Sequence, residues 1–438
     1  MKVYFVSLGC DKNLVDSEHM LSDISTEYEI IDNPEEADIA IVNTCAFIKD
    51  AKEESINTIL ELAELKKKKL KYLVIAGCLA QRYSDELKDL IPEIDAFLGI
   101  SAIDSILKDL KKLSKKKKLF DLPDINAKQN ASGKRFISPP FHYSYLKIAE
   151  GCDKNCTYCS IPSIRGSYRS VPMEDLLKEA EYLAKNNISE LILVAQETTL
   201  YGVDLYGKKS LGDLLSKLSL IDGIKWIRIM YCYPEEIDDD LIKAIKDNPK
   251  VCHYLDIPIQ HSNDRILQMM GRRTSHKDLV SIIKKLRKEI PDIALRTSLI
   301  AGFPTESDEE FDDLCKFVKD IKFDRLGVFS YSKEENTLAS KMKGQVKASV
   351  KKQRQKALME IQREVSLKRN KKLLNKTFEA IIDGYDSNEG FYTARLYSDA
   401  PDIDGCVFIE SEEKYMSGDF VKVKITDYSE YDLIGETV

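Results

Sequence analysis

The sequence predicts an α/β chain of three folded parts: an N-terminal parallel-sheet domain, a partial (β/α)6 barrel and a small C-terminal antiparallel β-barrel. Three observations lead there. Apolar strand-like runs alternate with helical patterns through residues 1–100, six further strand–helix repeats follow from Tyr145, and the tail beyond Asn375 breaks into short strands separated by Gly, Asp and Asn. At 438 residues the chain exceeds the size at which one hydrophobic core keeps growing. With 43% hydrophobic and 32% charged residues it falls outside the disordered, collagen-like and membrane compositions.

In the first part, assigned to 1–112, the runs Lys2 to Leu8, Ile39 to Asn43 and Tyr72 to Ala76 read as parallel strands, and Ala96 to Ile100 as a further one. The lysine-rich stretch Lys111 to Lys118 and the Asn, Ser, Gly and Pro residues beyond it mark a linker over 113–140. The second part, 141–340, carries apolar strands at Tyr145 to Ala149, Leu191 to Ala195, Trp226 to Met230, Tyr254 to Ile259, Ala294 to Ala301 and Arg325 to Tyr331. Amphipathic helices such as Met173 to Lys185 and Glu309 to Lys322 lie between them. Six repeats fall short of the eight that close a full barrel, so neighbouring parts are expected to cover an open mouth.

Lys341 to Lys376 reads as one long helix with thirteen basic and two acidic residues, its 341–374 portion connecting the barrel to the last part, 375–438. There Phe378 to Ile382, Phe391 to Leu396, Cys406 to Ile409 and Val421 to Ile425 alternate as the strands of a small barrel do. The N-terminus shows no secretory pattern, and no apolar run approaches the roughly 20 residues of a membrane span. A cytoplasmic protein without membrane contact is expected. In a reducing compartment ten cysteines point to metal binding rather than disulfides.

The sharpest motif is Gly151-Cys152-Asp153-Lys154-Asn155-Cys156-Thr157-Tyr158-Cys159, a C-x3-C-x2-C loop directly after the first barrel strand. Three thiolates at this spacing can hold three irons of a 4Fe-4S cube and leave the fourth open to a reactant. A structural zinc site would normally be closed by a fourth ligand, and none lies nearby in the sequence. Cys10, Cys45 and Cys78 each follow the end of an apolar strand, in VYFVSLGC, DIAIVNTC and YLVIAGC. In an open parallel sheet the carboxyl ends of strands gather ligands, so these three thiols can converge on a second cluster. The other reading, three separately packed thiols, holds if those strand ends stay apart. Cys232, Cys252, Cys315 and Cys406 show no such placement and read as packed or incidental.

With these motifs the whole chain resembles the radical SAM methylthiotransferases, which join an N-terminal three-cysteine domain, a radical SAM barrel and a TRAM barrel in this order. Ser7 to Glu18 (SLGCDKNLVDSE), Tyr254 to His261 (YLDIPIQH), Leu326 to Ala339 (LGVFSYSKEENTLA) and Asp399 to Gly405 are similar to the RimO-type branch, which modifies a ribosomal protein. The resemblance implies two 4Fe-4S clusters, on Cys10, Cys45 and Cys78 and on Cys152, Cys156 and Cys159, with S-adenosylmethionine (SAM) serving as both methyl donor and radical source. It places Tyr158 near the adenine. It also makes Leu299 to Glu306, with Gly302 and Glu306, the strand and loop passing the adenosine, although the family more often has Gly where this chain has Thr305. Gln196 and Glu197, ending the second barrel strand, should face SAM's polar groups at the barrel mouth.

The implied reaction adds a methylthio group to the β-carbon of an aspartate in the twelfth protein of the small ribosomal subunit. It needs an external electron donor and no general base, since cofactors carry such chemistry. From Asn375 onward fifteen acidic residues face five basic ones, a balance that suits a basic ribosomal protein, possibly within the small subunit, better than RNA. Two alternatives stay open: a tRNA adenosine methylthiotransferase, to which the basic helix and the lysine runs Lys66 to Lys71 and Lys111 to Lys118 would speak, and a non-catalytic iron–sulfur scaffold or electron carrier.

Overall fold

The computed structural model describes residues 1–115, 118–127 and 134–438. Its first sheet is six-stranded and wholly parallel, in the order β2-β1-β3-β4-β5-β6. The strands are β1 (Lys2–Ser7), β2 (Glu29–Ile31), β3 (Ile39–Thr44), β4 (Tyr72–Gly77), β5 (Ala96–Leu98) and β6 (Leu119–Asp121). Every residue of β3 is buried, as in a parallel sheet covered by helices on both faces. Two of these strands escape the pattern reading, β2 and β6. β6 pairs with β5 inside the 113–140 segment read as a linker, so that segment completes the sheet edge before it connects anything. Residues 116, 117 and 128–133 of that linker lie outside the described residues.

The chain then forms β7 (Tyr143–Lys147), a two-stranded antiparallel pair β8 (Ala149–Glu150) and β9 (Arg169–Ser170), and β10 (Glu190–Val194), β11 (Trp226–Ile229), β12 (Val251–Asp256), β13 (Ala294–Ala301) and β14 (Arg325–Ser330). β7 and β10 to β14 make a second parallel sheet in the order β14-β13-β12-β11-β10-β7, the open partial barrel that six repeats predict. Two of its helices begin at capping boxes. Ser307 caps the helix Asp308–Ile321 reciprocally with Glu310, and Ser275 does the same with Asp278 for His276–Glu289. Leu314, Phe317, Val318 and Ile321 of the first, and Leu279, Ile283 and Leu286 of the second, bury their apolar stripes in the main core.

The basic helix is shorter than its composition suggests, Ala348–Asn370. Gly344 at φ +72° and the extended Lys347 delay its start, and Asn375 at φ +62° turns the chain at its far end. Nor is it a free cationic face. Arg354 pairs with Glu306 and Asp308, and Arg369 with Asp324, both on the barrel. The chain ends in a closed barrel of β15 (Thr377–Asp386), β16 (Phe391–Leu396), β17 (Val407–Glu410), β18 (Phe420–Tyr428) and β19 (Leu433–Thr437), the last missed by the pattern reading.

The segment Asp399 to Gly405 of this small barrel seals the amino-terminal end of the larger one. Asp399 pairs with Arg325, Asp402 accepts from Tyr143, and Asp404 accepts from Tyr254 and faces Arg296 at 3.4 Å. Asp383 binds His142 and Arg395, and Arg395 reaches across to Glu190 at 2.8 Å. Four of the fifteen carboxylates counted as a partner-facing surface therefore bond within the molecule, with Asp402 alone of the four staying exposed.

Candidate functional site

Parallel register gathers the first three cysteines at one sheet edge. Thr44 of β3 pairs with Gly77 of β4, so Cys45 and Cys78 leave adjacent strands side by side. Ser7 of β1 pairs with Asn43, and the turn through Gly9 brings Cys10 back over them. Gly9 has φ +92°, and a Cβ there would lie 2.6 Å from Cys45 Cβ and 3.0 Å from its sulfur. Only glycine permits that approach. Gly77, at φ +85°, is equally confined, since a Cβ there would lie 2.8 Å from the Thr44 carbonyl oxygen. Cys10 stays exposed while Cys45 and Cys78 are buried. Burial pushes the Cys45 thiol up, with Cys10 adding to the effect. It pushes Cys78 up to about 11, against the opposing pull of the Arg165 guanidinium, whose Nη2 lies 3.5 Å from the Cys78 sulfur. The three strand ends thus meet at one edge of the sheet.

The second trio lies in the loop after β8. Gly151 (φ +79°) turns the chain against Ser167, and Cys152 N–H donates to the Gly166 carbonyl at 3.1 Å. Cys159 N–H donates to the Cys156 carbonyl, and Thr157 N–H to Met270, which wraps the loop on itself and onto the barrel. Tyr233 Oη stands 3.7 Å from the Cys156 sulfur, and Ile161 N–H donates to the Cys159 sulfur at 3.4 Å. Burial raises Cys152 to about 11 and Cys159 to about 12, with Cys156 adding to both.

The expected SAM-facing residues separate into two kinds. Gln196 donates to Glu150 Oε1 at 2.7 Å, while its own Oε1 is buried without a hydrogen-bond partner. Glu197 is fully buried. Thr199 holds one of its oxygens through backbone N–H and hydroxyl, and Oε2 has no hydrogen-bond partner. Burial lifts Glu197 to about 7, partly offset by Thr199 and by Lys154 at 3.9 Å. These two acceptor oxygens, idle beside the loop carrying Cys152, suit a donor-bearing cofactor. Glu306, by contrast, is occupied by its own loop. It accepts from Gly302 and Phe303 N–H at 2.8 and 3.1 Å and from Arg354 at 2.8 Å, so it shapes the turn at Gly302 (φ +75°). Thr305 stands in the left-handed region at φ +67°, where the family's glycine would be at ease. Tyr158 packs against Ile266, Met270, Phe303 and Tyr331, and its hydroxyl is raised well above the usual range by burial.

Pattern reading missed the polar groups that join the two trios. Arg165 donates to Asp16, Glu150 and Asn13, and Lys147 pairs with Asp16 and with Glu150, all buried. Lys154, inside the C-x3-C spacing, binds Glu235 and Glu236. The available signal was Asn13 and Asp16, three apart on the helix Asp11–Ile24 and buried where an amphipathic helix would show water a polar face.

Each trio offers three free thiols, and at Cys45, Cys78, Cys152 and Cys159 burial penalises a lone thiolate and so favours a cationic inorganic partner. Among the described residues no three His, Cys, Asp or Glu side chains are set to hold a single metal ion. Thiolates on a 4Fe-4S cube each bind a different iron, so the donor set fits a cube at either place. A cavity of about 710 Å³ runs from Cys10 and Asp11 along β7 to Asp383, Arg395 and Asp402 of the small barrel. No described helix is long and apolar enough to cross a membrane.

Comparison with known proteins matches three family models in turn: "Uncharacterized protein family UPF0004" over 2–99, "Radical SAM superfamily" over 146–318 and "TRAM domain" over 376–438. Curated relatives named "Ribosomal protein uS12 methylthiotransferase RimO" align end to end. That of Lachnoclostridium phytofermentans is 55% identical, covering 99% of both chains. That of Clostridium botulinum is 50% identical over 99% of this chain and 98% of its own, and that of Acetivibrio thermocellus 49% over 100% and 98%. Among solved structures, the radical SAM methyltransferase TsrM from Kitasatospora setae superposes with a TM-score of 0.55 at 12% identity, covering 75% of this chain and 72% of its own. The cobalamin-dependent radical enzyme OxsB reaches 0.53 at 14% identity, covering 77% and 54%. Both likenesses concern the fold alone.

Proposed function

The chain belongs to the RimO family of radical SAM methylthiotransferases, and from that premise we propose that it adds a methylthio group to the β-carbon of an aspartate in ribosomal protein uS12. Membership of the radical SAM superfamily brings SAM and one 4Fe-4S cluster. The observation that carries the fuller reading is the meeting of Cys10, Cys45 and Cys78 at one sheet edge, joined through Arg165 to the loop of Cys152, Cys156 and Cys159. On this reading the first trio holds an auxiliary cluster and the second the radical cluster. Tyr158, Gln196, Glu197 and the Gly302 turn flank SAM, with Glu306 fixing that turn.

When bound, these groups supply the one-electron chemistry, the methyl group and the sulfur that an unactivated C–H bond requires. The protein's own task is placement. Gln196 Oε1 and Glu197 Oε2 present buried acceptors without competing hydrogen bonds. Tyr158 and its apolar neighbours keep water from one side of the loop, and the Tyr233 hydroxyl lies 3.7 Å from the Cys156 sulfur. No side chain is needed as a general base.

For the partner, the carboxylates left exposed on the small barrel, and the cavity that leads from that barrel to Cys10, favour a basic protein over tRNA. The basic helix speaks less for RNA than its composition suggested, because Arg354 and Arg369 are engaged internally. A cytoplasmic setting with an external electron donor accompanies this reading.

One experiment tests it. Anaerobically reconstituted protein, with SAM and a reductant, is offered uS12 or tRNA, and mass spectrometry looks for the added methylthio group. About eight irons per chain and modified uS12 are expected. Modified tRNA with untouched uS12 would overturn the substrate, and intact SAM would favour a non-catalytic carrier.

A further inference from the structure

Arg165 ties the N-terminal domain to the segment that follows the second cysteine trio, and it reaches the Cys78 sulfur of the first. Its short helix, Ile161–Arg165, begins two residues after Cys159, yet its guanidinium lies among residues of the N-terminal domain. Nη2 donates to Asn13 Oδ1 at 2.8 Å and lies 3.5 Å from the Cys78 sulfur. Nη1 donates to Glu150 Oε2 at 2.7 Å and to Asp16 Oδ2 at 2.9 Å. Asn13 stands three residues after Cys10, and Glu150 two before Cys152. The side chain is 2% exposed, so none of these bonds competes with water.

We propose that Arg165 is a positioning residue that locks the Cys10–Cys45–Cys78 trio against the radical-cluster loop and, by donating to the Cys78 sulfur, raises the reduction potential of the auxiliary cluster. The proposal rests on the reading that this trio holds a cluster. Its physical basis is the planar fork of the guanidinium, which meets two carboxylates and an amide on fixed vectors and still has a donor for sulfur. Two carboxylates, Asp16 and Glu150, balance two cations, Arg165 and Lys147. A clamp between domains would be complete with those partners alone. The contact with Cys78 is additional, and it falls on the atom through which the protein would meet iron. Hydrogen bonds to cluster sulfurs, and positive charge beside them, favour the reduced and more negative state.

The test uses the full chain carrying Cys152→Ala, Cys156→Ala and Cys159→Ala, so that only the N-terminal trio can take a cluster. After anaerobic reconstitution, iron and sulfide are counted, and the midpoint potential is read by redox titration followed with electron paramagnetic resonance (EPR). Adding Arg165→Gln should leave about four irons per chain but move the midpoint to more negative values and alter the EPR g-values. Unchanged midpoint and g-values would overturn the proposal. If Arg165→Gln does not fold, Arg165→Lys decides by the same titration. Lysine keeps the charge but cannot span Asn13, Glu150, Asp16 and Cys78 together, so a downward shift supports the proposal and an unchanged trace refutes it. Failure of the background chain itself, with Arg165 intact, to load iron would instead refute the two-cluster reading.

Discussion

The Lys12 ammonium sits 3.3 Å from the centroid of the Tyr231 ring, bridging the turn after Cys10 to the end of β11. Tyr231 adopts φ +59°, unusual for a bulky residue, with its N–H donating to Asp256 at 3.2 Å. Burial disfavours the charge on Lys12, but Asp11 at 2.8 Å and the Tyr231 ring hold it firmly protonated. Lys12→Met should strand the Asp11 carboxylate in a nearly dry site and cost about 3 kcal/mol. Thermal melts of the cluster-free chain check this, and a double mutant with Asp11→Asn should recover much of the loss.

Thr305 pays a backbone cost that a glycine would not. A β-branched residue at φ +67° is disfavoured by about 1–2 kcal/mol, against which Thr305 Oγ1 gains a bond from Arg265 at 3.1 Å. Thr305→Gly should stabilise the chain by about 1 kcal/mol, read as a higher melting temperature. A lower one would mean that the Arg265 bond outweighs the strain.

The pair Asp399 and Arg325 ties the terminal barrel to the floor of the large one. Asp399→Ala leaves a buried guanidinium uncompensated, which typically costs about 3–5 kcal/mol. Limited proteolysis should then release the 375–438 barrel sooner than in the parent chain, while a control at the exposed Glu412 should change nothing.

Glu197 gives a pH dependence of known sign. Burial lifts its folded-state value from 4.5 to about 7, so between those values the folded chain holds a proton that the unfolded chain has lost. Stability therefore falls as pH rises through this window, by roughly 3 kcal/mol in total. Glu197→Gln should flatten that fall. Chemical denaturation of the cluster-free chain at pH 5 and pH 7.5 measures the difference, and equal slopes in both proteins would sink the assignment.

How much of this the sequence discloses depends on whether an interaction is written locally. Cys45 and Cys78 were legible because each follows an apolar run long enough to be read as a strand, and register does the rest. Glu29–Ile31 and Leu119–Asp121 were not, since three residues at a sheet edge carry no alternation to detect. The helix after the large barrel was read too long because lysine-rich segments favour helix, and the single Gly344 at positive φ outweighed that preference. Arg165 was invisible, because its partners Asn13, Asp16 and Glu150 lie far from it in sequence. Charge counting misled for a related reason: Asp383, Asp399, Asp402 and Asp404 are acidic in composition yet bonded to partners within the fold.

The seal formed by Asp399 to Gly405 also sets an order of assembly. A ribosome that has just released β14 has delivered all six strands of the large barrel, with Asp256 to pair with Arg296, but Arg325 still awaits Asp399. Because chains emerge amino end first, the domain made last supplies the counter-charge that Arg325 lacks in the domain made before it. A premature stop codon between β14 and Asp399 would thus damage the middle of the protein as surely as its tail.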